Sequence, residues 1–221
     1  MKSLLTAILF SITVILPLNA VADAIGKVVL IQGSPLVERN GQHLFIKRND
    51  AIFTADMIIT PIGSKILVRL NDKSTISLAE NSQFEFTKYQ YDQKNDKSDV
   101  SFKMLKGAFR TITGKIGKQK QPKFEIHTPV ATIGVRGTDF WGGFIFSDAL
   151  DVTMLSGKGV YIKNDKGLTE LSKPGEGTMV TEGAAPGEVS MWSKEKIAKA
   201  NAATELKEPK PKKKHSSPFE Y

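Results

Sequence analysis

The run Phe124–Phe144, FEIHTPVATIGVRGTDFWGGF, constrains the fold more than any other stretch of the chain. Glycines 134, 137, 142 and 143 lie among β-branched and aromatic residues. Those glycines permit the positive φ or close backbone approach that other residues resist, while the residues between them favour strands. Pro129 pushes Thr128 towards an extended conformation and stops any helix there. The run therefore reads as short strands Lys123–His127, Val130–Val135 and Thr138–Phe146 joined by tight corners. Phe140 and Trp141 alternate faces: one enters the core, and the other is either covered or free to stack on a sugar or a partner.

The same cadence extends in both directions. Gly26–Gln32 is a first strand, and Leu36–Arg39 and His43–Lys47 flank Asn40-Gly41, a strong hairpin signal. Ala51–Thr60 ends at Pro61. In Lys65–Leu70 the residues Ile66, Val68 and Leu70 share one face with period two. Ser74–Leu78 and Ser82–Thr87 repeat the device, with Phe84 and Phe86 inward. Lys88–Asp99 is polar and reads as an exposed excursion. Val100–Leu105 and Ala108–Ile112 are strands, and Thr113–Pro122 is a second polar, basic loop. Asp151–Leu155, Gly159–Lys163, Leu168–Leu171 and Thr178–Thr181 continue the series. Strand, turn, strand without a convincing helix predicts an all-β domain over 25–182, as a sandwich, barrel or β-solenoid; it excludes βαβ folds. Recurrent G-x-V at Gly26, Gly134 and Gly159 is compatible with irregular solenoid rungs.

The two ends differ in kind. Lys2, an uncharged apolar run from Leu4 to Leu18 and the small residues of Ala20–Ala24 make a cleaved signal peptide over 1–24, with cleavage after Ala22 or Ala24. The expected location is the bacterial periplasm, with no transmembrane segment after cleavage. Val189–Leu206, rich in Ala, Lys and Glu, predicts a helix over 189–206, capped by Ser190 or Ser193 and docked through Trp192. The helix is also placed as a cap over an open end of the β-body. Residues 207–221 (KEPKPKKKHSSPFEY, from Lys207) read as a disordered basic tail.

Composition sets limits on chemistry. The chain of 221 residues has no cysteine, so disulfides, thiolate metal sites and cysteine nucleophiles are excluded. A formal net charge of +8 points to anionic surroundings. Lys115, Lys118, Lys120 and Lys123, with Lys210, Lys212, Lys213 and Lys214 in the tail, are candidate contacts for anionic lipid, lipopolysaccharide or glycan; export argues against nucleic acid. His43, His127 and His215 lack metal-ligand spacing. Arg136, Thr138 and Asp139 at the sharpest corner match no catalytic arrangement. They read as structural, Thr138 and Asp139 bonding the corner's backbone and Arg136 pairing with a carboxylate. No cofactor is expected, and the chain reads as a non-enzyme.

Taken together, these motifs resemble the FecR-type periplasmic domain. The resemblance covers about Ile25 to Thr181 and includes Asp50–Thr60, Gly63-Ser64-Lys65, Val68–Ser74, Leu105–Ala108 and Leu155–Val160. Its strongest part is Phe124–Phe140, with Thr128, Pro129, Gly134, Arg136, Gly137, Thr138, Asp139 and Phe140 as the motif positions. The resemblance implies a β-solenoid or β-helix-like domain in the bacterial envelope. In the family's regulators this domain relays a signal from an outer-membrane TonB-dependent receptor to a sigma factor. The chain itself looks like a stand-alone exported FecR domain, without a preceding cytoplasmic segment or a C-terminal receptor-contacting module. Its expected role is a binding or signal-relay module for an envelope protein partner, a receptor or an inner-membrane regulator; the alternative is a structural protein attached through its basic segments.

Overall fold

The computed structural model describes residues 23–207. The signal peptide and tail expectations, including Lys210, Lys212, Lys213, Lys214 and His215, lie outside the described residues. Eighteen strands form two nine-stranded sheets. The first contains, in spatial order, β18 (Ser190–Met191), β17 (Glu176–Val180), β14 (Leu150–Gly157), β13 (Thr138–Gly143), β10 (Ala108–Ile112), β7 (Thr75–Leu78), β6 (Lys65–Leu70), β1 (Gly26–Gln32) and β4 (Ala51–Ile52). The second runs β16 (Gly167–Leu171), β15 (Val160–Asn164), β12 (Thr132–Val135), β11 (Phe124–His127), β9 (Lys97–Lys106), β8 (Ser82–Asp92), β5 (Met57–Thr60), β2 (Leu36–Arg39) and β3 (Gln42–Phe45).

The chain switches sheets every one or two strands, so both sheets grow in the same direction along the molecule. All pairings are antiparallel except β9 with β11, which run parallel because β10 crosses to the other sheet between them. The fold is thus all-β; no closed barrel or solenoid is found among the described residues.

Alternation explains which faces meet. Ile66, Val68, Leu70, Ile76 and Leu78 of the first sheet are at most 2% exposed, as are Ile58, Phe84, Phe86, Phe102, Ile126 and Ile133 of the second. They share one apolar cluster between the sheets. Phe84 bridges the layers, its ring centroid 5.7 Å from Phe102 beside it and 5.9 Å from Phe109 across the core. Phe109 in turn meets Phe140 edge-on at 5.5 Å. Each such ring pair contributes about 0.5–1.5 kcal/mol beyond its buried area.

Several expectations are corrected. The excursion expected over Lys88–Asp99 is strand: β8 runs on to Asp92 and β9 begins at Lys97, forming a long hairpin. The continuous strand expected over Ala51–Thr60 breaks at Phe53–Asp56, where the Asp56 carboxylate accepts the Phe53 N–H. The helix is α1 (Lys194–Thr204), shorter than 189–206, because Ser190–Met191 pairs with β17 instead. Ser193 is its cap, accepting the Lys196 N–H at 3.1 Å.

That helix lies across the outer face of the first sheet rather than over an open end. Trp192 docks it against Gly177 and meets Trp141 at 6.1 Å, with Phe146 and Ala200 completing the patch. Lys196 binds the buried Asp151 carboxylate at 2.6 Å, and Lys65 Nζ donates to the Ala202 carbonyl near the helix end at 2.7 Å. Trp141 is therefore fully buried and offers no stacking surface.

Candidate interaction surface

The turns at one end of the strands form a row, and the FecR-like motif residues gather there. Thr138 holds two corners at once. Its hydroxyl donates to the Gly159 carbonyl at 2.8 Å, and its N–H donates to Thr113 Oγ1 at 2.7 Å. Gly137 has φ +77, a left-handed conformation that glycine adopts without strain. A Cβ there would lie 2.4 Å from the Gly117 carbonyl oxygen, so the 113–118 segment can close against the corner only over glycine.

Gly134 serves differently. A Cβ on it would lie 1.9 Å from Tyr161 Cζ, since the Tyr161 ring passes over it. The Tyr161 hydroxyl thereby crosses β12 to donate to Glu125 Oε1 at 2.8 Å. Burial pushes the Glu125 carboxyl up, but Lys163, Tyr161 and His127 outweigh it and hold the group below its ordinary value. Burial and Glu125 together raise the Tyr161 phenol. Thr128 closes the opposite end of this hairpin, its hydroxyl donating to the Ala131 carbonyl at 2.8 Å, with Pro129 exposed between them.

The corner's charges pair otherwise than expected. Asp139 makes a two-pronged pair with Arg110, at 2.9 and 2.7 Å, and this raises the Arg110 guanidinium. Arg136 forms no ion pair among the described residues; it is exposed beside Lys158, Tyr161 and Ser172, around a notch of about 60 Å³. Phe140 enters the core.

A buried carboxylate that sequence reasoning did not single out secures the middle of the row. Asp72, fully buried in the β6–β7 turn, accepts from Ser74 Oγ at 2.6 Å, from the Ile116 N–H at 3.3 Å and from the Tyr89 hydroxyl at 3.2 Å. Its backbone carbonyl takes the Lys115 N–H at 2.8 Å. The signal was present as Asn71-Asp72-Lys73-Ser74, a turn motif whose aspartate can reach the next backbone groups.

The two polar segments expected as separate loops are joined. Lys115 Nζ reaches Gln93 Oε1 at 3.0 Å, the Lys120 N–H donates to Asp96 at 3.1 Å and Gln119 donates to the Asp92 carbonyl at 3.2 Å. Lys123 pairs with Asp99 at 3.2 Å, and Lys88 binds the same carboxylate. Lys88, followed by Lys123, holds Asp99 below its ordinary pKa. Lys123 is thus removed from the set of free cations. Lys73, Lys115, Lys118, Lys120, Arg136, Lys158 and Lys173 remain exposed on the row's turns with no ion-pair partner among the described residues. Tyr91 stands between two open depressions of about 660 and 330 Å³, the second lined by Lys115, Lys118, Gln93 and Asp96.

This geometry defines a rigid all-β scaffold presenting a cationic row of loops. Among the described residues no group of metal-ligating side chains assembles, and no helix is long and apolar enough to cross a membrane. Residues 56–158 match the family described as FecR protein, which is consistent with a FecR domain over that part of the chain. Comparison with curated proteins returns no match. Among solved structures the fold is similar to a candidate anti-sigma factor from Parabacteroides distasonis ATCC 8503, in crystal structures at 1.65 and 2.50 Å resolution. In each the TM-score is 0.50 at 17% identity, over 64% of this chain and 62% of that one. The chain therefore aligns with less than two thirds of that protein, and the likeness concerns the fold.

Proposed function

We propose that this chain is an exported, non-enzymatic signal-relay module that engages an envelope protein partner through its row of loops. The observation that carries the reading is the mutual bracing of the motif corner, the 113–123 segment and the β8–β9 tip. Buried Asp72 and Thr138 hold the row in place. A surface fixed before contact loses little conformational entropy on binding. The exposed cations favour a partner with an acidic face and accelerate encounter with it. The FecR domain and the fold shared with a candidate anti-sigma factor support a regulatory role. The apolar leader over 1–24 supports periplasmic location, and the one-way growth of both sheets supports a solenoid-like reading of a single domain over 25–182. The motif positions Thr128, Pro129, Gly134, Gly137, Thr138, Asp139 and Phe140 act structurally in this reading, and Arg136 belongs to the contact surface.

The test is photo-crosslinking from Lys118 and, as a control, from Asp165 at the far end of the strands, in cells with an intact envelope. Capture of one receptor or inner-membrane regulator from Lys118 and not from Asp165 supports the proposal. Equal capture from both positions refutes it. A second reading, attachment to anionic lipid, lipopolysaccharide or glycan, is favoured by the exposed Lys115, Lys118 and Lys120, which have no ion-pair partner among the described residues. It predicts that the K115Q/K118Q/K120Q variant loses binding to lipopolysaccharide-containing vesicles, in proportion to salt, while deletion of 207–221 reports the tail's share.

A further inference from the structure

We propose that β3 is a self-pairing edge that joins two copies of this chain across a two-fold axis. Three sheet edges are short or covered. β4 and β18 have two residues each, and the 184–187 segment lies along β16, where Thr169 donates to the Gly187 carbonyl and Asn164 to the Ala184 carbonyl. β3 is the remaining edge, last in its sheet and exposed at all four residues. It contains no proline, no lysine and no bulge, devices that would blunt an edge. Instead it carries Leu44, 42% exposed, and Phe45, 73% exposed. Leu44 and Phe45 border a groove of about 230 Å³ lined also by Val37, Ile46 and Phe53.

The hairpin fixes which residues of β3 can bond an added strand. Asn40 (φ 52) and Gly41 (φ 73) form a two-residue turn, so the flanking Arg39 and Gln42 are a hydrogen-bonded pair, and Val37 with Leu44 is the next. His43 and Phe45, in the intervening pairs, direct their N–H and C=O away from β2. An antiparallel second copy that uses both outward-facing residues of β3 on each side therefore sets His43 opposite its Phe45 and Leu44 opposite its Leu44. In that register Leu44 meets Leu44 on the groove side, and Phe45 packs between Leu36 of its own hairpin and the second copy's His43. Lys47 of the two copies lies roughly 20 Å apart, counting six residues at about 3.4 Å, beyond a Debye length of about 8 Å. The edge is thus self-complementary in backbone bonds and apolar contact, as a closed two-fold interface requires.

The absence of cysteine makes the register directly testable in the full chain. Leu44 Cα atoms would lie about 4.5 Å apart across the axis, within disulfide reach, whereas Phe45 Cα atoms would lie roughly 8 Å apart, outside it. Under mild oxidation L44C should give at least about tenfold more bridged dimer than F45C. Sedimentation of the unmodified chain, which needs no variant, should show a dimer that F45K converts to a monomer. Equal bridging by L44C and F45C, bridging by neither, or a monomer across the accessible concentration range would each overturn the proposal.

Discussion

Lys196→Met should loosen α1 from the sheet by an amount the geometry allows to be worked out. The Asp151 side chain is 2% exposed and its one cationic partner among the described residues is Lys196 Nζ at 2.6 Å; the Lys196 side chain is 35% exposed. A fully exposed pair is worth about 0–1 kcal/mol, whereas removing one partner of a fully buried pair costs about 3–5 kcal/mol. This pair is buried on the carboxylate side only, which places the loss at about 2 kcal/mol. Lys196 Nζ also sits 4.0 Å from the Trp192 ring centroid, and losing that contact adds about 0.5 kcal/mol. Methionine keeps most of the side chain's apolar packing, so the change isolates the charge. The expected drop in melting temperature is roughly 5–10 °C. Urea unfolding followed by tryptophan fluorescence is the direct assay, because Trp141 and Trp192 are the only tryptophans and both lie in the patch. The D151N/K196M double variant should recover about 1 kcal/mol relative to K196M, since no buried charge is then stranded. A K196M effect below about 0.5 kcal/mol, or strictly additive single effects, would refute the reasoning and leave the helix held by apolar contact alone.

Gly134→Ala should destabilise by about 2 kcal/mol, as the Tyr161 ring is displaced and its bond to Glu125 lost; Y161A added to it should recover part of that loss in the same denaturation assay. Asp72→Ala should cost about 3 kcal/mol by stranding the Ser74, Tyr89 and Ile116 donors. It should also lower amide-exchange protection over 113–118 more than elsewhere; uniform loss would contradict the bracing role. Acid should destabilise the fold through Asp99 and Glu125. Both carboxyls are depressed in the folded state. Their stabilisation is complete above the ordinary carboxylate range near pH 4 and is lost as pH falls through the lower folded values. Melting temperature against pH for K163M should fall less on going into acid than for the unmodified chain, because without Lys163 the folded Glu125 carboxyl moves back towards its ordinary value; parallel profiles would remove Glu125 from the account.

Much of the β-body is legible in sequence because burial imposes period two wherever a strand has one face in the core. Lys65–Leu70 and Ala108–Ile112 are read to the residue for that reason. The β8–β9 extension is not, because beyond Thr87 no residue of β8 is fully buried and the polar spelling resembles a loop. The faint signal there is Tyr89 and Tyr91, two apart on one strand. Asp139 illustrates a different gap. Its partner Arg110 is 29 residues distant and becomes adjacent only through the pairing of β10 with β13. Trp141 and Trp192 show the same dependence, since two isolated tryptophans in sequence become one covered patch once a helix folds back across the sheet.

The alternation of strands between two sheets has a consequence for how such a molecule changes length. Each strand rests on earlier neighbours, and each turn of the cationic row follows the last in chain order. A duplicated pair of hairpins could therefore be added and would lengthen the body by about 4.8 Å per strand, without rebuilding the core already formed. With nine strands per sheet the row spans roughly 38 Å. The fold acts as a ruler whose gradations are written in sequence order, and descendants that gain or lose a unit would measure a longer or shorter partner with the same corner chemistry.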